Sequence, residues 1–122
     1  MNNLHIIGNV CQAPELRTTT TGKSVCTFTV AVNRRKKIEG QPEADFFRVS
    51  AWGDLGENCA KYLAKGKKVS VDGSVSVRTY QTQNGEFRAS MEVMSREVEF
   101  LSPRDNVDKE TGYTKVAEDF PY

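Results

Sequence analysis

Hydrophobic and polar residues alternate along much of the first hundred positions, and this alternation predicts a chain built mainly of β-strands. It is clearest at residues 69–77, where Val or Gly occupies every second position and Ser or Asp occupies the positions between. Residues 25–33 alternate in the same way, and residues 4–10 form a short apolar run. Because successive side chains of a strand point to opposite faces, each alternating segment predicts one core face and one outer face.

Residues 54–66 have a helical pattern instead. Their apolar positions recur at helical spacing, at Leu55, Cys59, Tyr62 and Leu63. Asp54 stands where an N-terminal cap is expected, with Glu57 three residues later to complete a capping box, and Gly66 is expected to end the helix.

Turn signals separate the strands. The Thr-rich residues 18–23 and the dipeptide Asn84-Gly85 predict turns. Residues 34–44 predict a projecting loop, because four consecutive cations precede a Gly and a Pro. The last strand is predicted over residues 87–101, with a break near residues 95–97 where the apolar alternation changes phase.

The order of these elements predicts the fold. Five strands with one helix between the third and the fourth indicate an all-β protein, a five-stranded Greek-key barrel of the OB-fold type. An SH3-like barrel is the alternative, although such a barrel does not normally place a helix there. We assign residues 1–102 to this domain. Residues 103–122 offer little apolar periodicity and are predicted to form a flexible acidic tail.

The third strand, predicted over residues 45–52, carries the most informative chemistry. Alternation places three apolar side chains on its core face: Phe47, Val49 and Ala51. Its other face holds Phe46, Arg48, Ser50 and Trp52. In the fourth strand Arg78 and Tyr80 likewise share the polar face. Aromatics and cations on one exposed sheet surface suit stacking on unpaired nucleobases and contacts with phosphates. The alternative is that both faces are buried and that Phe46 and Trp52 are ordinary core residues.

Length and charge limit the number of domains and the strength of electrostatic attraction to a polyanion. The 122 residues suffice for one domain, and the formal net charge is +1. Residues 1–101 hold 14 Lys or Arg against 11 Asp or Glu, whereas residues 102–122 hold 3 against 5. A mildly basic body gives a polyanion modest electrostatic attraction.

Other residue types argue against several classes of site. Cys11, Cys26 and Cys59 are odd in number and form no Cys-x-x-Cys pair, so we expect free thiols in a reducing cytoplasm. With His5 as the only histidine, we expect no metal site and no cofactor. No long apolar run or apolar leader is present, so we expect neither export nor membrane insertion.

Several short stretches occur in a particular order and spacing, although none is specific alone: Ile7-Gly8-Asn9-Val10, Ala13-Pro14-Glu15-Leu16-Arg17, Trp52-Gly53, Tyr62-Leu63-Ala64-Lys65-Gly66, Val71-Asp72-Gly73 and Arg78-Thr79-Tyr80. Taken together, they resemble bacterial and phage single-stranded-DNA-binding proteins of the homotetrameric OB-fold type. The resemblance covers residues 1–101 and again residues 118–122.

The resemblance implies a non-catalytic homotetramer that binds single-stranded DNA in the cytoplasm, in association with the nucleoid. It implies that bases stack on Phe46, Trp52 and Tyr80. Phosphate contacts are expected from seven cations: Arg34, Arg35, Lys36, Lys37, Arg48, Arg78 and Arg88. The family commonly has another stacking aromatic where Lys36 stands, so we expect binding that is more sensitive to salt. The alternative for residues 34–37 is a solvated loop.

The C-terminus resembles the family's acidic tip, which docks on replication, recombination and repair proteins. Carboxylates suit the basic rim of a partner's pocket, and a terminal aromatic suits its apolar floor. Here the predicted tip is Glu118, Asp119, Phe120, Pro121 and Tyr122. It is reduced and follows a short linker, and the alternative is an inert solubilising tail.

Two other functions remain open. A primosome-type accessory protein, an OB-fold dimer that acts mainly through protein contacts, would differ in oligomeric state and would not need the tip. A small nuclease on an OB barrel would need clustered carboxylates and a divalent metal. Asp54 and Glu57 already have a predicted capping role, and nothing places Asp45 beside a nucleophile.

Overall fold

Five strands close into a barrel, with one helix between the third and the fourth strand. The computed structural model describes residues 1–102 and the backbone at 107–108 and 113–114. The barrel elements are β1 (Leu4–Thr18), β2 (Ser24–Asn33), β3 (Ala44–Trp52), α1 (Gly53–Tyr62), β4 (Lys68–Gln81) and β5 (Phe87–Phe100). The strand order around the barrel is β1-β2-β3-β5-β4, and β4 also pairs with β1. β3 and β5 are parallel, and the other barrel pairs are antiparallel. The predicted five-stranded barrel with a helix between the third and fourth strands is confirmed.

The alternating segments supply the core of this barrel as predicted. Val69 and Val71 of β4 are fully buried, and so is Val30 of β2. Apolar side chains from all five strands and from the helical segment complete the core: Ile6, Val10, Cys26, Phe28, Val49, Ala51, Cys59, Leu63 and Val93. In the part of the chain that the structure describes, no helix has both the length and the apolar character needed to cross a membrane.

β1 is longer than predicted. Residues 11–18 continue the strand predicted at 4–10, and the pairing with β2 shifts between Val10 and Gln12 and again between Gln12 and Glu15. Each shift gives β1 one more residue than β2, which is a β-bulge. Because a bulge interrupts the period of two, alternation could not reveal this part of the strand.

The predicted break in the last strand is also a bulge. The pairing of β5 with β4 skips one residue, Arg96. Val93 is buried before the bulge, and Val98 packs against the core after it. The extra residue therefore keeps apolar side chains on the core face where the sequence changes phase.

The predicted capping box of Asp54 and Glu57 is wrong. α1 begins at Gly53, directly after β3, so Asp54 already lies in the first turn, and no side chain caps the N-terminus. Gly53 has φ +64°, a left-handed value that glycine adopts without strain, and this lets the chain turn from strand to helix at once. The helix ends at Tyr62, before the predicted Gly66.

β4 and β5 extend past the barrel as a two-stranded arm, residues 78–90, beyond the last pairing of β5 with β3 at Met91 and Phe47. Both faces of β4 are exposed from residue 76 onward, including Val77, which alternation had grouped with core residues. The grouping of Val77 was wrong because this residue lies at the base of the arm, where its side chain is 59% exposed. The predicted turn is confirmed, since Gly85 has φ +82° and its N–H donates to the Thr82 carbonyl at 2.9 Å.

Two short strands follow the barrel, β6 (Val107–Asp108) and β7 (Tyr113–Thr114), and they pair antiparallel. Both lie in the segment that the sequence predicts to be a tail. The predicted tip at residues 118–122 lies outside the described residues.

Candidate nucleic-acid interface

The outer side of β3 exposes the side chains that alternation placed there. Phe46 is 57% exposed and Trp52 is 41% exposed, and Arg48 between them is exposed as well. Val49 and Ala51 point the other way and are fully buried. The alternative in which Phe46 and Trp52 belong to the barrel core is therefore wrong.

Strand register extends this outer side across the whole barrel. Residues paired directly in neighbouring strands place their side chains on the same face. Arg48 pairs with Thr29 of β2 on one side and with Glu92 of β5 on the other. Thr29 pairs in turn with Gln12 of β1, and Glu92 pairs with Ser76 of β4. One row of outward side chains, the Arg48 row, thus crosses all five strands.

The two rings on β3 have small neighbours. Phe46 pairs with Ala31, and Trp52 pairs with Val25. Within the described residues, neither ring packs against another aromatic ring. Short neighbouring side chains leave the flat faces of both rings accessible to a planar ligand such as a nucleobase.

Tyr80 lies on the arm and is 45% exposed. It alternates with Ser76 and Arg78 along β4, so it continues the outer surface that the Arg48 row defines. Phe46 and Trp52 are six positions apart on β3, which spans about 20 Å. The three predicted stacking residues therefore share one surface, but they are spread along it rather than clustered.

Four of the seven predicted phosphate-contacting cations lie against carboxylates. The pairs are Arg34–Asp45 at 2.8 Å, Lys37–Glu43 at 3.6 Å, Arg48–Glu92 at 3.9 Å and Arg88–Glu86 at 3.4 Å. Among the described residues, Arg35, Lys36 and Arg78 form no ion pair. The positive charge available to a polyanion is therefore smaller than the number of cations indicates.

The Arg34–Asp45 pair holds the base of the cationic loop. Arg34 donates to the Asp45 carboxylate through Nε at 3.2 Å and Nη2 at 2.8 Å. These hydrogen bonds hold the pKa of Asp45 below its ordinary value and raise the pKa of Arg34. The Arg34 N–H also donates to the Glu43 carbonyl at 2.8 Å, which closes the loop that carries Lys36.

Sequence reasoning missed the polar residues that surround Arg48. Glu92 and Gln12 are far from it in sequence and reach it only through strand pairing. The register across a barrel follows from bulges and turns together, and no local pattern in one strand gives it. Arg48 could be predicted from its own segment, whereas its carboxylate partner Glu92 could not.

Two thiols, those of Cys26 and Cys59, are buried in the core. Burial raises the pKa of Cys26, and burial together with the nearby Cys26 raises the pKa of Cys59 to about 12. Both are protonated at neutral pH, and a protonated thiol is a poor nucleophile and a poor metal ligand. In the described part of the chain, no group of three or more His, Cys, Asp or Glu residues is arranged to hold a metal ion.

This chain is similar in sequence to known proteins. The model of the single-strand binding protein family matches residues 1–101. Single-stranded DNA-binding protein 3 of Clostridium acetobutylicum is 43% identical over 102 residues, which cover 83% of this chain and 71% of that protein. The single-stranded DNA-binding protein of Bacillus cereus is 39% identical over 113 residues, 92% of this chain and 66% of that protein.

A solved structure agrees in fold. The crystal structure of a small single-stranded DNA-binding protein from Streptomyces coelicolor superposes with a TM-score of 0.70 at 28% identity. The match covers 80% of this chain and 92% of that one. The barrel described above is therefore similar in fold to that single-stranded DNA-binding protein.

Proposed function

Because the chain belongs to the single-strand binding protein family, we propose that it binds single-stranded DNA with little dependence on sequence. Coverage by the protein would keep single strands from reannealing and from nucleolytic attack. The observation that carries the proposal is the outer surface of β3, where two exposed aromatic rings flank an exposed arginine. Aromatic stacking and phosphate attraction are the two contacts that every nucleotide can make, whatever its base.

The stacking contacts are assigned to Phe46, Trp52 and Tyr80. Each is 41–57% exposed, so each ring is open to a planar ligand. Stacking of one base on one such ring contributes about 1–3 kcal/mol. The spread of the rings along the surface suits an extended strand rather than a single bound nucleotide.

The phosphate contacts are assigned to the seven cations named above. Arg35 and Lys36 lie on the loop after β2, and Arg78 lies on the arm beside Tyr80. These three are ready to contact phosphate without breaking an ion pair. The other four, Arg34, Lys37, Arg48 and Arg88, would have to exchange a carboxylate for a phosphate.

The proposal extends to assembly and partners. We assign the chain to a homotetramer that acts on the single strands of replication, recombination and repair in the cytoplasm, at the nucleoid. Association would cover exposed apolar side chains such as Ile7, which is 48% exposed on β1. Residues 118–122 would recruit partner proteins through two carboxylates and a terminal aromatic.

Titration of the fluorescence of the single tryptophan with oligo(dT) tests the proposal. Trp52 lies in the proposed stacking site, so single-stranded DNA should quench it strongly at low salt and still quench it at high salt. Duplex DNA of the same length is the control, because its bases are already stacked and unavailable to the ring. Unchanged fluorescence together with no binding by gel shift would reject the proposed function.

A further inference from the structure

The guanidinium group of Arg34 has a partner for each of its three nitrogen atoms within one hairpin. Nε donates to the two oxygens of the Asp45 carboxylate at 3.2 and 3.3 Å, and Nη2 donates to the same carboxylate at 2.8 Å. Nη1 donates to Gln41 Oε1 at 3.4 Å. We call these side-chain contacts the Arg34 bridge. The bridge joins the end of β2, the loop after it and the start of β3.

This bridge lies on the side of the hairpin that faces away from the stacking rings. Asp45 and Phe46 are consecutive residues of β3, so their side chains point to opposite faces of the strand. Val49 shares the face of Asp45 and is fully buried in the core, whereas Phe46 lies on the outer face. Because the Arg34 guanidinium lies against Asp45, it is on the far side of the strand from a phosphate bound beside Phe46.

Arg48 provides the contrast within the same strand. Its side chain lies on the outer face, and its ion pair with Glu92 is a single contact at 3.9 Å. A phosphate can replace that one long contact. Moving Arg34 to a phosphate would instead break charge-assisted hydrogen bonds through two of its nitrogen atoms, together with the contact to Gln41.

The bridge connects two segments that carry proposed DNA contacts. Arg35 and Lys36 directly follow Arg34, and Phe46 directly follows Asp45. A loop that is already ordered loses less conformational entropy when it binds a ligand. Holding the loop at residues 34, 41 and 45 therefore favours binding without any contact between the bridge and the DNA.

We propose that Arg34 is a positioning residue, which stays on Asp45 when DNA binds and holds Arg35 and Lys36 beside the ring of Phe46. This inference rests on the proposed binding of single-stranded DNA and narrows it, because it removes Arg34 from the set of phosphate contacts. The negative charge of Asp45 then strengthens the binding of a polyanion. Simple electrostatics requires the opposite, since loss of a carboxylate near the strand should tighten binding.

The test measures the dissociation constant of labelled oligo(dT) by fluorescence anisotropy at several salt concentrations. The variants are Asp45→Ala, Arg34→Gln and the double variant. Glu39→Ala is the matched control, because it removes an exposed carboxylate from the same loop. We expect Asp45→Ala to weaken binding about fivefold at low salt, whereas Glu39→Ala should bind as tightly as the wild type or slightly more tightly. Since either single substitution breaks the bridge, the double variant should also lose about fivefold, not about twenty-fivefold.

The salt dependence identifies what the bridge does. If Asp45→Ala displaces Arg35 and Lys36, the slope of the logarithm of the binding constant against the logarithm of the salt concentration becomes flatter by up to about 1.4. Release of Arg34 to a phosphate would steepen the slope by about 0.7 and tighten binding, which would overturn the inference. A slope unchanged by Asp45→Ala, or losses that multiply in the double variant, would overturn it as well. In each of these cases a wild type that binds oligo(dT) leaves the proposed function intact, whereas a wild type that fails to bind overturns both.

Discussion

Individual residues of the proposed interface would make two physically different contacts with DNA, stacking for Trp52 and phosphate attraction for Lys36. Stacking depends on shape and dispersion and is not screened by salt, whereas attraction between a lysine and a phosphate is screened. We expect Trp52→Ala to weaken binding of oligo(dT) by about 1–3 kcal/mol at every salt concentration. Lys36→Ala should mainly flatten the salt dependence.

Fluorescence anisotropy of a labelled oligo(dT), measured across a range of salt concentrations, distinguishes the two effects without relying on tryptophan. Lys65→Ala is the matched control for Lys36→Ala, because it removes an exposed lysine from the loop after α1. If the affinities of Trp52→Ala and Lys36→Ala for oligo(dT) depend on salt in the same way, the assigned roles are wrong.

Glu92 places a negative charge next to Arg48 in the Arg48 row. Its carboxylate lies 3.9 Å from the Arg48 guanidinium, and its side chain is only 26% exposed. A phosphate that approaches Arg48 must therefore displace or repel this carboxylate. We expect Glu92→Gln to tighten the binding of oligo(dT) at low salt, by more than the same loss of charge in Glu57→Gln. Equal tightening in the two variants would show that only net charge matters.

Whole elements could be predicted from the sequence where pairing is regular, and less well where it is not. The alternation at residues 69–77 gave the core strand β4 correctly up to Val75, and the change of phase near Arg96 gave the bulge of β5. Residues 11–18 were missed because two bulges interrupt their period. The cap at Asp54 was wrong because Gly53 starts the helix earlier than the side-chain pattern shows.

The position of α1 depends on a residue whose role the sequence pattern did not show. Gly56 is buried where the helix crosses the end of β3, and a Cβ there would clash with the Ala51 carbonyl oxygen and crowd the Cys26 nitrogen. Glycine inside a helix usually costs about 0.5–1 kcal/mol relative to alanine. Here the close approach of helix and strand requires its missing side chain.

Gly56→Ala should therefore lower the free energy of unfolding by about 1–3 kcal/mol, the usual cost of overpacking a core. Urea denaturation followed by circular dichroism measures this. Asn58→Ala, at an exposed position of the same helix, is the control and should have a neutral or slightly stabilising effect. A gain in stability for Gly56→Ala would show that helix propensity outweighs the clash.

At the scale of the whole molecule, the buried thiols link stability to alkaline pH. The pKa of Cys59 is raised to about 12 from an ordinary value of 9.0. Above about pH 9 this thiol ionises in the unfolded chain but stays protonated in the folded chain. The buried thiol therefore contributes fully to the free energy of unfolding below pH 9, and this contribution is lost as the pH rises towards 12. Urea denaturation at several pH values should show this decline. Cys59→Ala should reduce it, and an identical decline in that variant would assign the effect to other groups.

The pairing of cations with carboxylates should set the salt dependence of DNA binding at the proposed interface. If each of the seven cations released counterions from single-stranded DNA, the logarithm of the binding constant of one domain would fall with the logarithm of the salt concentration. The slope would be about −5. Four of them lie against carboxylates in the free chain, and each freed carboxylate attracts cations again on binding, which offsets that release. We therefore expect a slope near −2, the value for Arg35, Lys36 and Arg78 alone, in titrations with an oligo(dT) short enough to occupy one domain.

Glu92→Gln frees Arg48 and should steepen the slope by up to about 0.7. A wild-type slope near −5 would mean that the ion pairs of the free chain have no influence on binding, and Glu92→Gln would then leave the slope unchanged.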